Sequence, residues 1–315
     1  MTLSAALQRC PRPRARFAVI VAIAVACFVA TTDRAEAQGP VTTADADRFT
    51  SDRLSVEVVG SGPDVILIPG LASSREVWRP LADRLKATHR VHLVQLAGFA
   101  GEAWVHGDGP FVDPAVAELA RYIEAGGLDR PAVIGHSMGG LSGLLLAQRH
   151  PDRVGRVMIV DALPFFSALY GPQVTVESAR PLAEQARAAM IANVDPDARR
   201  RQGEATAVGM ARDPATRLAM VEWTMGSDVR AVASAFADVM TTDARPGLAA
   251  MTTPVTALYA TDADGGPPPA MAEALWNREY ATLPGVRVIR VDGARHFIMA
   301  DQPERFAELV DDFLR

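Results

Sequence analysis

From Arg53 onward, short apolar runs alternate with stretches of helical period. Leu54–Val59 reads as a strand closed by the Gly60-Ser61-Gly62-Pro63 turn, and Val65–Ile68 as a buried strand ending at Pro69-Gly70. Glu76–Lys86 places Val77, Leu81 and Leu85 on one helical face. Val91–Leu96 is a further strand, and Gly98–Pro110 a glycine-rich loop. A helix from Pro114 to Glu124 follows, with Asp113 before its proline as the expected N-cap. Then come strand Ala132–Gly135, helix Met138–Arg149 and strand Val157–Val160.

Between about Leu163 and Pro246 no clear strand is visible, while Ala183–Ile191 and Val229–Met240 read as helices. The alternation resumes with strand Val255–Tyr259, helix Ala270–Tyr280, strand Val286–Val291 and helix Pro303–Leu314. Strands alternating with helices specify a mostly parallel sheet covered on both faces, an α/β class. The expected organisation is a core made of residues 38–162 and 247–315, interrupted by a helical cap at 163–246. Trp78 is expected in the core, and the Gly265-Gly266-Pro267-Pro268-Pro269 patch is a loop, fixed or lid-like.

Residues 1–37 follow a different rule. Arg9, Arg12, Arg14 and Arg16 precede the uncharged run Phe17–Ala30, and a polar stretch ends at Ala35-Glu36-Ala37. A basic start, an apolar run of fourteen and an A-x-A box predict a cleaved secretory signal and a periplasmic or secreted product. Fourteen residues fall short of the about 20 that a spanning helix needs. Both cysteines, Cys10 and Cys27, lie in this segment, so the mature chain is expected to have neither disulfide nor thiol nucleophile. Its loss removes five arginines and two acids and moves the net charge from -5 to -8. That balance, with no basic stripe, argues against nucleic acid, anionic membranes and polyanionic substrates.

Gly135-His136-Ser137-Met138-Gly139 fits G-x-S-x-G between a buried strand and a glycine-rich helix start. This is the context of a nucleophile elbow, a strained turn that lifts a serine above the sheet edge. Serine needs a base to take its proton. Among the six histidines, His89 and His92 belong to the strand region, His136 sits behind the serine, His150 ends a helix, and His106 lies in a loop. His296 follows the last strand and is the expected base. Asp262, Asp264 and Asp161 all follow strands whose ends lie on the same sheet edge; Asp262 is the first choice for the orienting acid, with Asp161 and Asp264 as alternatives. The oxyanion hole is expected from the N–H groups of Met138 and of Leu71, in the short loop after Pro69-Gly70. Phe165, Phe166, Tyr170, Trp223 and Met225 are candidates for an apolar wall over the serine, or for ordinary cap packing.

The Pro69–Leu71 loop, Trp78, Ala97–Gly101, Gly135–Gly140 and the closing Arg295–Phe306 segment together resemble the alpha/beta-hydrolase superfamily, nearest to its capped esterase- and lactonase-like members. The resemblance implies an eight-stranded sheet, a Ser–acid–His triad with the acid after the penultimate strand, and no cofactor. Pro69 and Gln95 depart from the usual His and Asp at their positions. Serine at the elbow, in place of the aspartate of related dehalogenases and epoxide hydrolases, points to acyl transfer. The expected activity is therefore an exported serine hydrolase acting on a small or medium uncharged carboxylic ester or lactone. Amide, peptide or carbon–carbon bond cleavage on the same triad, or a non-catalytic binding protein, are the alternatives. No metal is expected from scattered histidines without cysteine, and the sequence is silent on oligomeric state.

Overall fold

The computed structural model describes residues 49–315; the expected signal segment, with Cys10 and Cys27, lies outside them. In chain order, β1 (Leu54–Gly60), β2 (Asp64–Ile68), α1 (Arg79–Leu85), β3 (Arg90–Leu96), α2 (Val112–Ala125), β4 (Ala132–His136), α3 (Met138–Arg149) and β5 (Arg156–Val160) form the first half. Four long helices follow: α4 (Val176–Ala192), α5 (Pro196–Met210), α6 (Pro214–Gly226) and α7 (Val229–Thr241). A short α8 (Arg245–Leu248) leads into β6 (Val255–Thr261), α9 (Pro269–Glu279), β7 (Arg287–Asp292), α10 (Ile298–Asp301) and α11 (Pro303–Leu314).

The strands make one sheet in the order β1-β3-β2-β4-β5-β6-β7, so the described residues hold seven strands where the family resemblance implied eight. β1 runs antiparallel to β3; every other pairing is parallel. Side-chain alternation explains why both faces are apolar. Ile66, Val133, Val157 and Ile159 point into a core layer with α2, α3 and α9. Val65, Leu67, Ile134, Met158 and Val160 point into the opposite layer with α1, α11 and Trp78. Trp78 is fully buried, as its place in the first helical segment predicts.

The expected helix at Glu76 begins instead as a single 3-10 turn, Arg75–Trp78, before α1, because Pro80 at the second position suits a fresh helix start. α2 also starts earlier than expected, and Asp113 does not cap it. The cap comes from a distant aspartate: Oδ2 of Asp238 in α7 accepts from the N–H groups of Phe111 and Val112 at 2.7 and 2.9 Å. The helical insertion is thus fastened to the core through a helix terminus. Further ties run from the Gly226–Asp228 segment to the loop after β3, where Asp228 N–H donates to Gly98 O and Gly101 N–H to Gly226 O.

Candidate active site

The C-terminal ends of the parallel strands deliver the site. Ser137, between β4 and α3, has φ 54° and ψ −123°, a left-handed conformation that a non-glycine residue adopts only at a cost of about 1–3 kcal/mol. The flanking glycines make the bend feasible. A methyl on Gly135 would collide with the carbonyl of Gly139, and one on Gly139 with the carbonyls of Ile68 and Pro69. The elbow is pinned to its neighbour by Ser137 N–H donating to Val160 O at 2.9 Å.

The same packing brings the expected oxyanion loop to the serine. A methyl on Gly70 would lie 3.1 Å from both Ser137 Cβ and His136 Nδ1, so Gly70-Leu71 lies directly against the elbow. Met138 is the first residue of α3, where a helix N–H has no partner within the helix. Gln95, the departure from the usual residue, steadies this region. Its Oε1 accepts from Arg75 N–H at 2.8 Å, and its Nε2 donates to Ser73, Leu96 and Phe99 carbonyls.

His296 lies in the loop between β7 and α10. Its Nδ1 meets Oδ2 of Asp161 at 2.7 Å, while Oδ1 of Asp161 accepts from Ala260 N–H at 2.9 Å. Asp161 sits one residue beyond β5 with φ 51°, a second left-handed non-glycine residue at the same sheet edge. Fully buried Tyr280 holds the residue that follows it, donating from its hydroxyl to Ala162 O at 2.6 Å. Burial, then the charges of Asp161 and Glu279, push that phenol well above its ordinary range.

Asp161, rather than Asp262, is therefore the carboxylate beside His296. Asp262 does follow the penultimate strand, but both of its oxygens are occupied. Oδ2 accepts from Arg295 Nε at 2.6 Å, and Oδ1 accepts from the Arg212 guanidinium and from Asp264 N–H at 3.1 Å. Asp264 is exposed and pairs with Arg212 at 3.1 Å. Burial opposes ionisation of Asp262, yet the hydrogen bonds from Arg295 and Asp264 and the two guanidinium charges hold its carboxyl below the usual range. A cleft of about 430 Å³ opens beside this cluster, lined by Arg212, Thr261, Asp262, Asp264, Gly293 and Gln302 among others, and Ser137 and His296 do not line it.

His136 has a part that its place in the motif did not announce. Fully buried, it donates from Nε2 to the backbone carbonyl of His296 at 3.0 Å, and the two rings lie 4.4 Å apart. The residue before the serine thus touches the backbone of the expected base. Burial, reinforced by the His296 ring, holds His136 well below the ordinary histidine range, so it is the neutral ring that donates. His92 is a core residue between Tyr122 and Asp64, His106 sits in its loop near Asp52, and His150 ends α3.

The proposed apolar wall divides. Phe165 is buried in a small cap cluster with Ala168 and Ala179, under the Arg245 guanidinium, and Phe166 packs on Phe236. Both belong to cap packing. Tyr170 is about half exposed, and Met225 of α6 is half-buried. Trp223 packs against the core layer that contains Phe297 and Ile298, next to His296. Among the described residues no group of three His, Cys, Asp or Glu could hold a metal ion, and no helix is long and apolar enough to cross a membrane.

Comparison with known proteins agrees with this architecture. A pimeloyl-[acyl-carrier protein] methyl ester esterase from Vibrio atlanticus is 34% identical over 122 residues, 39% of this chain and 45% of that protein. The protein of the same name from Neisseria meningitidis serogroup A is 44% identical over 91 residues, 29% of this chain and 27% of that protein. The matched stretch spans less than half the length of these curated relatives. Among solved structures, the enol-lactonase from Burkholderia xenovorans LB400 superposes with a TM-score of 0.67 at 21% identity, covering 83% of this chain and 96% of that one. A thermophilic esterase from Thermogutta terrifontis gives 0.66 at 22% identity, covering 83% and 93%. At such identities these structures share the fold. The model of the alpha/beta hydrolase family matches residues 65–309, most of the chain, and with that sheet, elbow and inserted helices the chain belongs to the alpha/beta hydrolase family.

Proposed function

We propose that this protein is a serine hydrolase that cleaves a small or medium uncharged carboxylic ester or lactone through an acyl-serine intermediate. The observation that carries the reading is a serine held in a left-handed elbow while the imidazole of His296 is fixed through Nδ1 by Asp161. Holding Nδ1–H on the carboxylate leaves Nε2 free to act as base toward Ser137. The serine oxygen attacks the carbonyl carbon as its proton passes to His296. The oxyanion forms within reach of the Leu71 and Met138 N–H groups, and collapse expels the alkoxide, which takes the proton back from His296. Water then enters by the same route and releases the acid.

Ester chemistry is favoured by the likeness to methyl ester esterases, and an uncharged substrate by the acidic mature chain. Export belongs to the same proposal and rests on the residue pattern of 1–37. The test is a fluorophosphonate probe on the purified protein. Stoichiometric labelling that disappears in Ser137→Ala is expected, whereas labelling that persists in the mutant removes Ser137 as nucleophile. A panel of esters, lactones and amides of graded acyl length then fixes the bond cleaved. N-terminal mass determination on protein from cell fractions tests cleavage after Ala37.

A further inference from the structure

The segment joining α5 to α6 makes a dense set of contacts with one place in the core, the loop that carries His296. Oδ1 of Asp301 accepts from the N–H groups of Arg212 and Asp213 at 2.7 and 3.0 Å, and Oδ2 of the same carboxylate accepts from Arg295 N–H at 2.8 Å. Phe297 N–H donates to Met210 O at 3.1 Å. The Arg295 guanidinium bridges Asp262, through Nε at 2.6 Å, and the carbonyl of Val208. Arg212 returns from the insertion to Asp262 and Asp264. The residues on both sides of His296 are thereby hydrogen-bonded to the end of α5 and the α5–α6 connection, directly or through a single carboxylate.

We propose that Asp301 and Asp262 are positioning residues that clamp the helical insertion onto the His296 loop, so that the insertion sets the placement of the base as well as covering the site. This rests on the hydrolase reading above. Asp262, with a side chain only 3% exposed, stands where a triad acid would stand in a chain of this family, yet here it holds the neighbour of the histidine. Two arginines neutralise it, one from the His296 loop and one from the insertion, so breaking it takes the carboxylate from Arg295 and leaves Arg212 with exposed Asp264 alone. Imidazole placement is exacting, since a misplacement of about 1 Å can cost about 100-fold in rate.

The experiment compares wild type, Asp301→Ala, Asp262→Asn and Asp161→Asn in the full chain, with p-nitrophenyl acetate and p-nitrophenyl octanoate. A role in positioning the base predicts that Asp301→Ala and Asp262→Asn lower kcat by about 10- to 100-fold for both esters alike, and slow fluorophosphonate labelling in proportion. The acetate has almost no acyl chain for the insertion to cover, so a defect confined to the KM of the octanoate would mean that the clamp only shapes the cover, and would overturn the proposal. Unchanged kcat for both esters would overturn it equally. Asp262→Asn keeps the volume and one accepting oxygen, and it carries the test should Asp301→Ala fail to fold. A wild type that neither turns over nor labels sinks the hydrolase reading itself. A deep loss in Asp262→Asn with near-normal Asp161→Asn would make Asp262 the acid and overturn both readings of these aspartates.

Discussion

Asp161 and His296 meet at 2.7 Å although 135 residues separate them, because β5 ends beside β6 and the loop after β7 folds back over both strand ends. Asp161 reaches the ring from a left-handed backbone position, with its second oxygen engaged by Ala260 N–H. A carboxylate so fixed can hold the histidine tautomer that keeps Nε2 unprotonated. Asp161→Asn is therefore expected to lower kcat by about 1,000- to 10,000-fold while the fold is retained. Steady-state kinetics with a chromogenic ester, beside far-ultraviolet circular dichroism, checks it; a loss under tenfold would deny Asp161 the orienting role.

The elbow makes a second prediction, about packing rather than chemistry. Gly139 lies where a side chain would meet the carbonyls of Ile68 and Pro69, at the root of the Gly70-Leu71 loop. Backbone cannot rotate away as a flexible side chain can. Gly139→Ala should destabilise the protein by about 1–3 kcal/mol and should shift the Gly70-Leu71 loop, so activity falls further than stability. Gly209, whose added methyl meets nothing, is the control. Urea unfolding of the two variants separates them, and equal stability would show that the elbow relaxes freely.

These two sites mark the boundary of what the sequence discloses. Helices α3 and α11 and the serine turn were legible because local signals agree: a buried strand, two glycines and a helical run, or a proline opening an amphipathic helix. That His296 lies against a carboxylate at the strand ends was legible from chain order. The acid was not, since three aspartates end strands at one edge and nothing local says which side chain another residue will claim. Arg295 and Arg212 claim Asp262 and leave Asp161 beside His296, and such partners are known only in three dimensions. Asp113 shows the same limit: a good local N-cap loses to a carboxylate supplied from 126 residues away.

Buried His136 carries a prediction about pH. Its folded-state pKa is depressed well below the ordinary value, first by burial and then by the His296 ring. The unfolded chain takes up a proton near pH 6.5 while the folded one resists. Below that pH the unfolded state binds more protons, so stability falls as pH falls, by up to about 1.4 kcal/mol per pH unit for one such group. His92, also depressed chiefly by burial, acts with the same sign. His136→Gln preserves a donor for the His296 carbonyl and removes the titration. Urea unfolding at pH 5 and pH 7.5 should show a smaller difference in this variant than in wild type. Identical differences would mean that His136 does not titrate on unfolding.

Asp238 tests how the insertion is held to the core. Its Oδ2 accepts from two N–H groups at the start of α2, a helix that packs along the sheet and has buried residues at Phe111 and Val112. Those donors have no partner within the helix, and their burial keeps water from replacing the carboxylate. Asp238→Ala should cost about 1–2 kcal/mol. Asp113, adjacent in sequence, makes only an exposed pair with Arg149, the kind worth about 0–1 kcal/mol. Asp113→Ala should therefore be the milder change, and the two urea midpoints should separate. The bond also joins α7 to α2, so protease nicking within residues 163–246 should accelerate in Asp238→Ala. If both variants unfold together with wild-type proteolysis, the insertion is held by its apolar contacts, Ala231 and Ala235 against the core, and the carboxylate is dispensable.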